Sequence, residues 1–142
     1  MKWFISCIAA LGAVWLTGCS EVTSQNSATA APASGGTEIV HVDAAGAAAL
    51  IQKGGVTVLD VRTPREFAAG RIQGAQNIDY KASDFRSRIE GLDRDGTYLV
   101  HCAVGGRSTS ALAVFQELGF KRVVHLDGGM KDWEKAGQPV EP

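Results

Sequence analysis

Tyr98-Leu-Val-His-Cys-Ala-Val-Gly-Gly-Arg-Ser108 runs from an apolar strand-like segment into a glycine-containing loop, with a cysteine at the junction. An arginine and a serine follow where a helix can begin. This arrangement turns a thiol into a nucleophile. Consecutive backbone N–H groups curl around the sulfur, and the following helix directs its positive end at it; both favour thiolate over thiol. Gly105 and Gly106 allow the loop to close, and Arg107 adds a permanent cation, the only charge in the loop.

Around this stretch, strand-like runs alternate with helical patterns. Glu38–Val42 reads as a first strand, and Asp43 caps an alanine-rich helix ending near Lys53-Gly-Gly55. Val56–Val61 is nearly all apolar, as a strand covered on both faces should be. Thr63-Pro-Arg-Glu66 is a capping box with proline at the first helical position, and its helix ends at Gly70. Ala75–Ile78 is a weaker third strand. Residues 83–92 fit a helix with Phe85, Ile89 and Leu92 on one face. Tyr98–His101 is the fourth strand. The helix of residues 107–119 carries a stripe of Ala111, Leu112, Phe115 and Leu118 and stops at Gly119. Arg122–Leu126 is the fifth strand and Met130–Ala136 the closing helix. The pattern predicts an α/β domain with a central, mostly parallel five-stranded sheet and helices on both faces. In such sheets functional groups gather beyond the carboxyl ends of the strands, which is where both Asp60 and Cys102 fall.

The start of the chain reads differently. Residues 1–18 look like an export signal: Lys2 is a short positive region, and Trp3–Leu16 is an apolar run short of the roughly 20 residues that span a bilayer. Leu16-Thr-Gly-Cys19 resembles the lipobox of bacterial lipoproteins, which implies lipidation of Cys19 and its exposure as the new first residue. Residues 19–37 then form the anchor and a tether of small and polar residues with a reach of roughly 20–25 Å. The expected location is the cell envelope, with Ser20 after the cysteine favouring the periplasmic face of the outer membrane. Residues 38–142 are left as one modest domain. The net charge is −1, without basic block or acidic tail, which argues against nucleic acid as a partner. Cys7 departs with the leader and Cys19 is blocked, so Cys102 is the one free thiol expected in the mature protein. That excludes an intramolecular disulfide or a metal site built from several thiolates.

Several segments resemble the rhodanese family. Leu59-Asp-Val-Arg-Thr-Pro-Arg-Glu-Phe-Ala-Ala-Gly-Arg-Ile-Gln-Gly-Ala-Gln-Asn-Ile78 is similar to its first signature, Cys102-x-x-Gly-x-Arg-Ser108 to its catalytic loop, and Leu126-Asp-Gly-Gly-Met-x-x-Trp133 with Gly137-x-Pro-Val140 to its terminal signature. The chain departs at Arg71-Ile-Gln73, where the family often has His-x-Pro, and at Ala103-Val104, where some members carry a basic or polar residue. Tyrosine-phosphatase-like enzymes have a loop one residue longer, Cys-x5-Arg, which cradles a phosphate. The Cys-x4-Arg spacing here resembles the rhodanese loop, whose amides surround a single sulfur atom.

The resemblance implies a sulfurtransferase working through a Cys102 persulfide, with Ala103, Val104, Gly105, Gly106, Arg107 and Ser108 binding the transferred sulfur. It implies a small sulfane-sulfur donor (thiosulfate, polysulfide or persulfide), a thiol or cyanide acceptor, and neither metal nor organic cofactor. The apolar lip at Ala103-Val104 favours a persulfide, polysulfide or thiosulfonate over thiosulfate. Arg107 is expected to orient an anionic donor. Ser108 caps the helix or donates a hydrogen bond, the cap being favoured. Asp60 pairs with Arg62 or Arg107, as support for the site or as plain structure. Glu66 is the acid of the capping box. His101 should point away from the loop, since neighbouring strand residues face opposite sides. His41 and His125 have no companions at metal-ligand spacing and read as structural or solvent-facing. Trp133 packs down the last helix, with the mouth of the site as a further place for its ring. A persulfide carrier that does not turn over shares the same nucleophile, and a cysteine-dependent phosphatase is the weaker third class.

Overall fold

A computed structural model describes residues 36–142. The leader, Cys19 and nearly all of the tether lie outside the described residues. The elements follow the alternation seen in the sequence: β1 (Glu38–Val42), α1 (Ala44–Lys53), β2 (Thr57–Asp60), α2 (Pro64–Ala69), β3 (Arg71–Ile72), β4 (Gln76–Asn77), α3 (Phe85–Glu90), β5 (Thr97–His101), α4 (Gly106–Glu117), β6 (Arg122–Leu126), α5 (Gly129–Lys135) and β7 (Val140–Glu141). Five strands form one sheet in the order β1-β6-β5-β2-β4, every pair parallel. Asp43 accepts from the Gly46 N–H at 2.8 Å as the cap of α1, and the Thr63–Glu66 capping box of α2 is fully formed.

Period-two alternation along the strands divides the core into two layers. Leu59, Val61, Tyr98, Val100 and Cys102 pack with Phe85 and Ile89 of α3 and Ala111, Leu112 and Phe115 of α4. On the other face Val58, Leu99, Val124 and Leu126 pack with the alanines of α1 and with Met130 and Trp133 of α5. Each large apolar side chain buried this way contributes about 1.5–3 kcal/mol relative to exposure. Small residues on α1 let that helix lie close to the sheet, and Tyr98, Phe115 and Phe120 fill the opposite layer with edge-on ring contacts.

One pairing was not foreseen. β3 and β7 form a two-residue antiparallel ladder, Arg71 opposite Glu141 and Ile72 opposite Val140. Arg71 donates Nε–H to Glu141 at 3.0 Å and stacks over Phe67. Among the described residues no helix is long and apolar enough to cross a membrane.

Candidate active site

β5 ends at His101, so Cys102 leaves the sheet at its carboxyl edge, and the chain turns through 103–105 into α4. Gly105 makes the turn, with φ +97° in the left-handed region that side chains disfavour. Cys102 is 1% exposed. The Gly105 N–H points at Sγ from 3.2 Å and the Ser108 hydroxyl oxygen lies 3.5 Å away. Burial by itself pushes the Cys102 thiol up. The Ser108 hydroxyl and the N–H groups of Ser108, Val104 and Gly105 outweigh it and bring the thiol below its ordinary value. Together these donors favour the anion.

The other wall of this turn comes from the segment Leu126-Asp-Gly-Gly-Met130. The Met130 N–H donates to the Cys102 carbonyl at 2.8 Å and the Lys131 N–H to that of Ala103 at 3.0 Å. Gly129, at φ +60°, makes the contact possible: a Cβ there would lie 2.3 Å from the Cys102 carbonyl oxygen. The sequence placed these glycines in a terminal signature without assigning them this clamping role.

One expectation for the loop is corrected. Ser108 is not the cap of α4. Gly105 occupies that position, and the Ser108 hydroxyl lies inside, 2.9 Å from the Gly105 carbonyl and 2.8 Å from His125 Nε2. A small hydroxyl one turn into a helix can reach back to a carbonyl, and burial beside polar partners secures it there. Arg107 pairs with Glu66 rather than with Asp60. Its guanidinium donates twice to Glu66, at 2.7 and 2.8 Å. The Arg107 hydrogen bonds hold the Glu66 carboxyl well below the usual range, assisted by Thr63 and opposed by burial, while Glu66 in turn keeps Arg107 charged. Glu66 thus closes its own capping box and ties α2 to the cysteine loop.

Because the carboxyl's folded value is depressed, the stabilisation it brings is complete above the ordinary Glu value and lost as pH falls through the folded value. Glu66→Gln is expected to lower unfolding stability by about 1 kcal/mol or less at neutral pH, the pair being partly exposed. The gap from wild type should hold above about pH 5 and shrink below it. Urea unfolding over a pH series measures this.

Asp60 and Arg62 form a compact buried unit. Arg62 Nε and Nη2 reach both carboxylate oxygens at 2.6–3.0 Å, and Nη2 also donates to the Gly70 carbonyl. Asp60 shares the carboxyl edge with Cys102, but alternation turns it to the α1–α5 side of the sheet while Cys102 faces α3 and α4. The pair secures the β2–α2 connection and contacts neither Cys102 nor Arg107, so of the two partners expected for Asp60 it is Arg62. His101 is turned from the loop as expected. It is fully buried, with Nε2 3.8 Å from Asp60, and burial pulls it below its ordinary value despite the attraction of Asp60. Trp133 is held in the α1–α5 layer, its Nε1–H donating to the Pro139 carbonyl at 2.9 Å, and is not part of the mouth.

His41 and His125 are the largest revision. Although 84 residues separate them in the chain, β1 and β6 pair in a register that sets His41 beside His125. Asp127 Oδ1 sits between them, 2.9 Å from His41 Nδ1 and 2.7 Å from His125 Nδ1. His125 is 2% exposed and belongs to the site through Ser108.

A parallel sheet that presents one buried cysteine, met by a loop N–H, at the head of a six-residue Cys102–Arg107 segment that runs into a helix defines a class of cysteine-loop α/β domains. A family model described as a rhodanese-like domain matches residues 43–136. The chain is 41% identical over 93 residues to the thiosulfate sulfurtransferase GlpE of Pseudomonas putida, covering 65% of this chain and 81% of that protein. GlpE of Pseudomonas aeruginosa is 39% identical over 84 residues, covering 58% and 74%. A crystal structure of a rhodanese-related protein from Thermoplasma volcanium superposes with a TM-score of 0.65 at 36% identity, covering 72% of this chain and 97% of that one. The chain belongs to the rhodanese family.

Proposed function

We propose that the protein is a sulfurtransferase that carries sulfane sulfur on Cys102. The observation that supports this most is the buried Cys102 sulfur, met by the Gly105 N–H at 3.2 Å within a ring of donors that lowers the thiol's pKa. Similarity to proteins named thiosulfate sulfurtransferase points the same way. In the first step the Cys102 thiolate attacks the outer sulfur of a donor. The donor's S–S bond breaks, sulfite or a thiolate leaves with the bonding pair, and a persulfide remains on Cys102. The loop amides and the start of α4 stabilise its terminal anion. In the second step cyanide or a thiolate attacks that terminal sulfur and Cys102 leaves as thiolate. No net oxidation or reduction of the protein occurs over the cycle. The six-residue Cys102–Arg107 spacing suits one sulfur atom better than a phosphate, which disfavours a phosphatase.

Donor preference follows from charge and exposure. Arg107 is engaged by Glu66, and Val104 stands 64% exposed at the tip of the loop. Such a rim favours organic persulfides, polysulfides and thiosulfonates, which are more apolar and carry less charge, over the doubly charged thiosulfate. Val104→Lys is therefore expected to raise kcat/KM for thiosulfate about threefold or more, through attraction of the dianion. Steady-state kinetics with cyanide as acceptor, repeated at high salt to screen the effect, would measure it.

The reading extends to location: export, lipidation of Cys19, and a domain tethered at the periplasmic face of the outer membrane. Fractionation of wild type and Cys19→Ala, with a labelled fatty acid, tests it; soluble wild type without label rejects it. The function itself is tested by sulfur transfer from thiosulfate, a polysulfide and a thiosulfonate to cyanide by the full-length protein. Transfer with any donor supports turnover. A persulfide that forms without turnover assigns the protein as a carrier.

A further inference from the structure

The Ser108 hydroxyl has one proton and three acceptors around it: the Gly105 carbonyl at 2.9 Å, His125 Nε2 at 2.8 Å and Cys102 Sγ at 3.5 Å. Asp127 decides among them. Its carboxyl is held below the usual range first by the hydrogen bond from His41 and then, against some burial, by that from His125. It is ionised at neutral pH and can only accept, so His125 Nδ1, 2.7 Å away, carries a hydrogen. In the neutral imidazole Nε2 is then bare, and the Ser108 hydroxyl is its donor. The remaining lone pairs of Ser108 are free to accept from the thiol.

We propose that His125 receives the Cys102 proton through Ser108, making Cys102–Ser108–His125–Asp127 a relay that generates the nucleophile. The S–H bond breaks and a new O–H bond forms on Ser108, whose original O–H proton passes to Nε2. The products are a thiolate and an imidazolium held by Asp127. Serine is regenerated with its hydroxyl now donating to Sγ, so the same transfer that forms the anion supplies it with a hydrogen bond. Charges and protons balance, and no other reactant is consumed. The Ser108, His125 and Cys102 side chains are each at least 98% buried, so the proton moves along a path screened from solvent.

Among the described residues, the charged or titratable groups facing His125 are Asp127 beyond the end of its own strand, His41 from β1 with ring centroids 5.2 Å apart, and Cys102 beyond β5 through Ser108. Arg107 of α4 pairs chiefly with Glu66 and, more weakly, also attracts the Cys102 thiolate. His125 acts through Ser108 and is a positioning residue rather than a group that touches the donor.

The inference rests on Cys102 being the nucleophile, but its test needs no sulfur donor. Iodoacetamide alkylation of Cys102 is followed from roughly pH 5 to 9 in the full-length wild type and in His125→Gln, whose amide can still meet Ser108 but takes no proton in this range. The relay predicts alkylation about tenfold slower near pH 6 in the variant, with the inflection of its profile moved to higher pH. Asp127→Asn should shift it in the same direction by less. Superimposable profiles for folded wild type and His125→Gln overturn the proposal. Should His125→Gln fail to fold, NMR titration of the His125 ring in wild type and Cys102→Ser decides. The relay requires the imidazole to titrate differently when the thiol is gone, and identical curves reject it. Absence of sulfur transfer, by contrast, would reject the proposed activity and leave the alkylation profiles as they are.

Discussion

Cys102→Ser is expected to reduce sulfur transfer on the order of a thousandfold or more while leaving the fold intact. The substitution changes one atom in a side chain that is 1% exposed, and the donors around it keep their places. A serine hydroxyl in the same ring remains protonated, because the donors that suffice to bring a thiol below its ordinary value act on a far weaker acid. Oxygen also gives no persulfide. The loss should therefore fall on kcat with every donor alike, and a melting curve close to wild type would separate it from misfolding. Appreciable turnover in the variant would move the chemistry to another group.

Gly129→Ala is expected to be nearly as damaging, by a different route. The added methyl would sit 2.3 Å from the Cys102 carbonyl oxygen and 3.0 Å from the Ala103 carbonyl carbon, both backbone atoms, at a φ of +60°. Nothing flexible is there to yield, so either the α5 N-terminus or the cysteine turn must move. The backbone conformation alone costs about 1–2 kcal/mol in an alanine, and the clash with the two clamping hydrogen bonds brings the expected loss to about 3 kcal/mol or more. Chemical denaturation measures the stability. Slower alkylation of Cys102 in the protein that remains folded would report the loosened ring. Gly106, where a Cβ meets nothing within 4 Å and φ is negative, provides the comparison: Gly106→Ala should cost little stability.

The parts of this molecule governed by local rules were legible in its sequence. The near-continuous apolar runs of β2 and β5 identified strands covered on both faces, Thr63 and Glu66 announced their helix, and glycines marked where α1, α2 and α4 stop. The cysteine loop was readable because its spacing is contained in consecutive residues. What escaped depends on the register and approach of distant segments. β3 and β7 have two residues each, too few for any periodicity, and lie almost 70 residues apart. The His41–His125 adjacency follows from β1 pairing with β6, the last strand of the large sheet to be made. Glu66 satisfied a local rule so well that its second role, holding Arg107 across 41 residues, gave no separate signal. Ser108 follows the rule for a cap, yet the turn is already closed by Gly105, and its hydroxyl is drawn inward by His125 and the Gly105 carbonyl.

The central claim, that Cys102 carries the transferred sulfur, is tested most directly by the intact mass of the folded full-length protein after a sulfane donor is added without acceptor. The account predicts a gain of one sulfur atom, about 32 Da, located on Cys102, absent from Cys102→Ser and removed on addition of cyanide. A wild type that gains nothing from thiosulfate, polysulfide or thiosulfonate, or a gain that persists in Cys102→Ser, would contradict it.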